Sequence, residues 1–115
     1  MKIRNIINFI ENKNIILNEY KYYAAILGLS PSKGARSPKL WNAAFEGLNF
    51  SGFMYPLDVL PENLGMLIKY LRDDDTFLGG SIAAPYKSDI IQHLDDIDSE
   101  AKAIGAVNCI YRDQN

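Results

Sequence analysis

The side chains with the means to do chemistry sit at two junctions of this chain. Lys87 closes the run Gly79-Gly80-Ser81-Ile82-Ala83-Ala84-Pro85-Tyr86-Lys87. Leu78, Ile82 and the small residues between them suit a buried strand, and Pro85, which has no N–H, ends its ladder. A lysine just past the carboxyl end of such a strand stands where open α/β sheets bind ligands. On position alone, a lysine that merely opens a solvent-facing helix is the better reading, and only the neighbouring segments can overturn it. The second junction is Ser37-Pro38, a helix start with Ser37 as N-cap and Pro38 at the first helical position. The free amides at Ser37 and behind it favour an anion such as a carboxylate, and Arg36 or Lys33 can assist. Ser37 also has a plain structural use, since a capping serine stabilises a helix by about 0.5–2 kcal/mol.

Other candidate groups lack partners. His93 has no second histidine and only one cysteine to join it at a metal, and it is expected on the exposed side of its helix. Asp73-Asp74-Asp75 can be read as a metal site, but consecutive side chains point apart, so a solvated loop is expected. Cys109, in Val107-Asn108-Cys109-Ile110-Tyr111, reads as a reduced, buried strand thiol with no catalytic part.

The elements that must position these groups follow from pattern. Ile3, Ile6, Ile7 and Ile10, with Phe9, recur at helical spacing against Arg4, Asn5, Asn8 and Glu11. This amphipathic helix can serve a membrane surface or a partner, but its shortness and few positive charges favour packing on its own domain. Ile15 to Tyr20 reads as an irregular extension. Tyr22 to Leu27, closed by Gly28, is a buried strand. The helix after Ser37 carries Leu40, Trp41, Ala44, Phe45 and Leu48 as its inward stripe, and Gly47 or Asn49 ends it. A second strand spans Phe50 to Val59, with Pro56 marking an edge or an end. Leu64, Leu67, Ile68 and Leu71 form the buried face of a helix begun at Pro61. Thr76 to Ala84 is the third strand, and its following helix turns Ile90, Ile91 and Leu94 inward. Asp98 caps a further helix through Ala103, Gly105 stops it, and Val107 to Tyr111 is the last strand. Strands and helices alternate in the order of an α/β domain with an open, twisted, mostly parallel sheet and helices on both faces.

Composition excludes several classes of function. Twelve basic residues against fourteen acidic ones, with no basic cluster, leave no electrostatic footprint for nucleic acid. A chain of 115 residues, 48% of them apolar, suits one domain with a modest core. The amino terminus has neither a signal-peptide run nor the length of a membrane span, and a single cysteine allows no disulfide within the chain. A soluble, cytoplasmic protein with a small-molecule partner is expected, with no membrane association.

Three segments, taken in order, resemble the amino-terminal substrate-binding domain of the shikimate dehydrogenase family, which includes quinate/shikimate dehydrogenases. They are Gly28 through Asn42, Gly80 through Lys87, and Gly105-Ala106-Val107-Asn108, with Phe45-Glu46-Gly47-Leu48 and the Asp95 to Ala103 helix between them. The family reads there Gly-x-Pro with Ser-x-Ser-Pro, then Asn-Val-Thr-x-Pro-x-Lys, then Gly-Ala-Val-Asn-Thr. The resemblance covers about Tyr22 to Tyr111 and divides the chain into an N-terminal helical extension, residues 1–21, and a substrate-binding domain, residues 22–115.

The resemblance implies an NADP-dependent reductase of 3-dehydroshikimate, or of a related polyhydroxy ring acid, in aromatic amino-acid biosynthesis. It makes Lys87 the catalytic lysine, and Ser37 and Asn108, with Lys87, the substrate-binding residues. Hydride transfer to a ketone leaves an alkoxide that needs a proton, and a lysine near that oxygen can give or take one. Asn108 offers both donors and an acceptor to substrate hydroxyls. The family's catalytic aspartate comes just after the position matching Asn115, and a glycine-rich nucleotide domain follows it. No G-x-G-x-x-G occurs here, so this chain alone is expected neither to hold NADP nor to turn over.

Several positions depart from the family. Ala35 replaces the first serine of the pair, Ala83 the strand threonine, Gly34 a common histidine, Ser81 the asparagine and Cys109 the threonine after Asn108. One extra residue lies between Gly28 and Ser37. A site that hydrogen-bonds a polyhydroxylated ring loses discrimination when two hydroxyls go. The alternative is a non-catalytic small-molecule binding module that kept the fold.

Overall fold

The computed structural model describes residues 2–17 and 19–113, with side chains from Asn5 onward. The readings of Ile3 and Arg4 as inward and outward side chains, and the positions Asn18 and Asn115, lie outside what is described.

Four strands form one sheet, β1 (Tyr22–Gly28), β2 (Gly52–Asp58), β3 (Phe77–Ile82) and β4 (Cys109–Tyr111), in the order β2-β1-β3-β4. β1 runs parallel to β2 and β3, while β4 is antiparallel to β3. Helix α1 (Ser37–Gly47) joins β1 to β2, and α2 (Leu64–Asp73) joins β2 to β3. Between β3 and β4 come α3 (Tyr86–Asp89), a 3₁₀ turn Ile90–His93, and α4 (Ser99–Ile104). The fold is α/β, a mostly parallel sheet with helices on both faces.

β1 is central because both of its faces are apolar. Tyr23, Ala25 and Leu27 join the main core with Tyr55, Leu57 and the inward stripe of α2, Leu64, Leu67, Ile68 and Leu71. The amino-terminal 3₁₀ helix, Lys2–Phe9, lays Ile6 into the same core, followed by Ile10. On the other face Ala24, Ile26 and Met54 form a smaller cluster under Trp41 and Phe45 of α1. That face offers α1 little to bury. None of its residues is fully buried, and Leu40 and Leu48 are 69% and 77% exposed rather than inward as the periodicity predicts.

Pro56 sits in an edge strand, where its missing N–H would have faced outward. The polar groups along this outer edge are covered by side chains. Asn42 bonds both the N–H and the C=O of Met54, while Asn12 donates to Pro56 O at 2.8 Å and accepts from Asp58 N at 2.8 Å. Glu11 N then donates to Asp58 O, so Glu11 and Asn12 protect an edge that would otherwise invite pairing.

Gly79 and Gly80 are paired on both sides within β3, and both need glycine for a backbone reason. A Cβ on Gly79 would fall 2.2 Å from Ile110 O, and one on Gly80 1.8 Å from Ala25 O, at φ of 135° and 159°. At positive φ a Cβ would be turned into the plane of the sheet, onto the carbonyls of β1 and β4, so only glycine fits at either position.

Three other expectations are corrected. Asp74 is 2% exposed rather than in a solvated loop, because its carboxylate accepts from Tyr23 Oη, Thr76 N and Thr76 Oγ1. Its neighbours Asp73 and Asp75 do face solvent. Cys109 is exposed, since β4 is a three-residue edge strand whose Cys109 and Tyr111 point away from the main core, toward a part of the sheet that α1 leaves bare. His93 is half-buried over Gly65 rather than fully out. Among the described residues no helix is long and apolar enough to cross a membrane.

Candidate functional site

The carboxyl edge of the parallel strands is built from three junctions. After β1 the chain makes a short 3₁₀ turn, Pro31–Lys33, passes Gly34 at φ 134° and enters α1 at Ser37. Ser37 is half-buried at the first helical position with Pro38 second, and Arg36 takes the cap position in helical conformation without a capping hydrogen bond. The N-cap assigned to Ser37 is thus displaced by one residue. The turn that should have isolated a cap has already closed, with Gly34 N bonding back to Pro31 O.

After β3 the chain crosses Ala83, Ala84 and Pro85, with a cis bond before the proline, and enters α3. Ala83 N donates to Leu27 O at 2.7 Å and Leu29 N to Ala84 O at 3.3 Å, which binds this junction to the first. Tyr86 plugs the base of α3. It is buried and donates its hydroxyl to Val59 O; burial first, then the charges of Glu62 and Asp89, raises its pKa above the usual phenol value. Lys87, next in line, is exposed.

The third junction reaches the same edge because β4 is antiparallel, so its beginning lies beside the end of β3. Asp98 caps α4 by accepting from Ala101 N at 2.8 Å, and Gly105 closes it in the left-handed region at φ 77°. The chain then turns through Ala106 and Val107 to Asn108, which is exposed. Val107 N donates to Lys87 O at 2.7 Å, Ser88 Oγ donates to Gly105 O at 2.8 Å, and Ile82 N donates to Asn108 O at 2.8 Å. The backbones carrying Lys87 and Asn108 therefore brace each other. Ser37 stands on the neighbouring junction, whose Ala35 shares with Ala83 the packing against Ala24, Ile26 and Met54. Strand alternation puts Ser81 and Cys109, a cross-strand pair, on that same sheet face.

Sequence reasoning missed Asp58 and Ser32. Asp58 ends β2 and is only 6% exposed, and it accepts from Ser32 N at 2.9 Å and from Ser32 Oγ at 2.5 Å. A signal was present: an acidic residue inside the apolar run from Phe53 to Val59 must find donors to stay there.

Phosphate-bearing cofactors of the dinucleotide kind need glycine turns and free amides at a helix start. Each helical segment that follows a parallel strand here opens instead beside a proline, Pro38, Pro61 or Pro85, which removes a donor. With that donor lost and no G-x-G-x-x-G turn to bring the backbone close, these turns do not fit a pyrophosphate, whereas the amides left past Pro38 are enough for a single carboxylate.

Residues 27–110 match the family model described as the shikimate dehydrogenase substrate binding domain. The NADP(+) shikimate dehydrogenase of Clostridium beijerinckii is 42% identical over 79 residues, 69% of this chain and 29% of the relative. Among solved structures, a shikimate dehydrogenase in complex with NADP+ superimposes at a TM-score of 0.77 with 31% identity, over 86% of this chain and 34% of that one. The Thermus thermophilus enzyme in complex with NADP(H) and shikimate gives 0.73 with 30% identity, over 81% of this chain and 34% of its own. The chain thus spans about a third of the length of the relatives it matches. On this agreement of family model, relatives and fold, the chain belongs to the shikimate dehydrogenase substrate-binding domain family.

Proposed function

We propose that this chain is the substrate-binding part of an NADP-dependent oxidoreductase that reduces 3-dehydroshikimate or a related polyhydroxy ring acid. Residues 22–115 form the domain, and residues 1–21 are its amino-terminal extension. Lys87 is the acid/base that delivers a proton to the alkoxide left by hydride transfer. Ser37 and the amides behind it hold the substrate carboxylate, and Asn108 bonds ring hydroxyls. NADP supplies the hydride and is held by groups other than the turns of this chain. The observation that carries the reading is the bracing of α3 against the turn before β4, which keeps the lysine and the asparagine backbones adjacent at one sheet edge.

The test is calorimetric titration of shikimate into the chain and into its Lys87→Ala variant. Because Lys87 is exposed, the variant keeps its thermal midpoint while its affinity falls. In an enzyme completed by a nucleotide-binding domain the same change lowers turnover by roughly a hundredfold or more. An unfolded variant would instead mark a structural lysine.

A second reading, a binding module without catalysis, is favoured by Ala35 and Ala83, which put methyl groups where the family carries hydroxyls. Shikimate binding together with no turnover in the completed protein decides for it.

A further inference from the structure

We propose that Asp58 is a positioning residue for the candidate site, acting through Ser32 on the loop that leads into α1. What the loop positions rests on the functional reading above; that Asp58 fixes it does not.

The main chain of Asp58 is held from both sides. Its N–H donates to Asn12 Oδ1, its carbonyl accepts from Glu11 N, and the next residue, Val59, donates to Gly28 O at 2.9 Å. The carboxylate is therefore a fixed point at the carboxyl end of β2, and it spends two acceptor positions on the two donors of Ser32. A carboxylate this buried is costly without donors, so loop and aspartate hold each other.

The loop's remaining bonds are of two kinds. Lys33 N to Ser30 O, with Gly34 N and Ala35 N to Pro31 O, shape it internally, and Leu29 N to Ala84 O ties only its start. Among these bonds, the Ser32–Asp58 pair alone seats the middle of the loop on the sheet. Ser37 follows five residues later, with the exposed Arg36 before it. A loop released from Asp58 carries the amides at the start of α1 out of register with Lys87 and Asn108.

The variants are Asp58→Asn, Ser32→Ala, the double variant, and Ser32→Thr as the conservative rescue. Asparagine keeps one acceptor but turns a donor toward a donor. Two readouts apply: hydrogen exchange of the amides of residues 33–37 in the ligand-free chain, and affinity for shikimate, used as the carboxylate probe. Asp58→Asn and Ser32→Ala should each speed exchange by about tenfold and weaken shikimate by about tenfold, the scale of one charge-assisted hydrogen bond. The double variant should be no worse than the worse single one, because both act through one contact. Ser32→Thr should restore both readouts. If Asp58→Asn does not fold, Ser32→Ala, changed at an exposed residue, carries the test.

Wild-type exchange at residues 33–37 in both single variants, or effects that add in the double one, overturns the proposal. Faster exchange with unchanged shikimate affinity leaves Asp58 a structural residue only and overturns its positioning role. If the parent chain does not bind shikimate, the functional reading falls while exchange still decides whether Asp58 fixes the loop.

Discussion

Ala35 and Ala83 show how much one missing oxygen can decide at a site of this kind. Both are half-buried against the Ala24, Ile26 and Met54 cluster, so each presents a methyl group to apolar neighbours and nothing to a ligand hydroxyl. Ala35→Ser with Ala83→Thr should tighten shikimate by roughly thirtyfold in calorimetry, since each of two satisfied hydrogen bonds adds about 1 kcal/mol. Threonine suits the end of a strand, so the fold should survive. No gain would mean a pocket shaped for a different ligand. Lys87 and Ser37 could be singled out in the sequence because punctuation marks them, Pro85 two residues before the one and Pro38 just after the other. Asp58 and Ser32 could not be paired, because they lie 26 residues apart and only the register of β1 on β2 brings them together. Cys109 misled for the opposite reason. Its apolar neighbours are real, but the face of β4 that carries Cys109 and Tyr111 is left exposed among the described residues.

At the scale of elements, legibility followed burial. β1 and α2 bury whole faces, and both were readable from their apolar residues, though the helix expected from Pro61 opens as a 3₁₀ turn, Pro61–Asn63, before α2. The stripe of α1 was not, because the spacing of Leu40, Ala44 and Leu48 records an amphipathic helix without recording how narrow a sheet face lies beneath it. The direction of β4 was invisible too, since alternation is the same for parallel and antiparallel strands. What fixes β4 is Arg112, just beyond its end. Its N–H donates to Leu78 O, and its guanidinium donates to Leu71 O at 2.8 Å, Arg72 O at 3.1 Å, Asp74 O at 2.7 Å and Phe77 O at 3.1 Å. A cation is thereby placed on the last carbonyls of α2, where the helix dipole favours it. Arg112→Ala should cost about 2 kcal/mol in urea unfolding, because several carbonyls lose a charged donor at once. Faster amide exchange in β4 should accompany the loss. A change within experimental error would show that solvent replaces the guanidinium at no cost.

On the scale of the whole molecule the two edges of the sheet divide the work, and their chemistry predicts different failures. The amino edge holds Tyr23 on Asp74, and burial first, then the hydrogen bond to Asp74, pushes the Tyr23 pKa far above its ordinary value. Tyr70 and Tyr86 shift the same way, burial again being the main cause. Each phenol keeps its proton to a higher pH when folded than the 10.0 at which it ionises unfolded, so the stability it contributes is complete below that pH and is lost as the pH rises from there toward the folded pKa. Urea midpoints should therefore hold up to about pH 10 and fall beyond it, with a shallower fall in Tyr86→Phe. On the proposed function, the carboxyl edge fails differently, for want of the cofactor. Hydride transfer needs a nicotinamide held against the substrate, and it is the cofactor that supplies that chemistry. Pro38, Pro61 and Pro85 each remove an amide from the helix starts where a pyrophosphate would be bound. The purified chain should accordingly show no NADPH oxidation with 3-dehydroshikimate and no saturable NADPH binding in a fluorescence titration, while shikimate still binds weakly at the carboxyl edge. Turnover well above a Lys87→Ala control would require a nucleotide site assembled without glycine turns, and would refute the assignment of NADP to groups other than these.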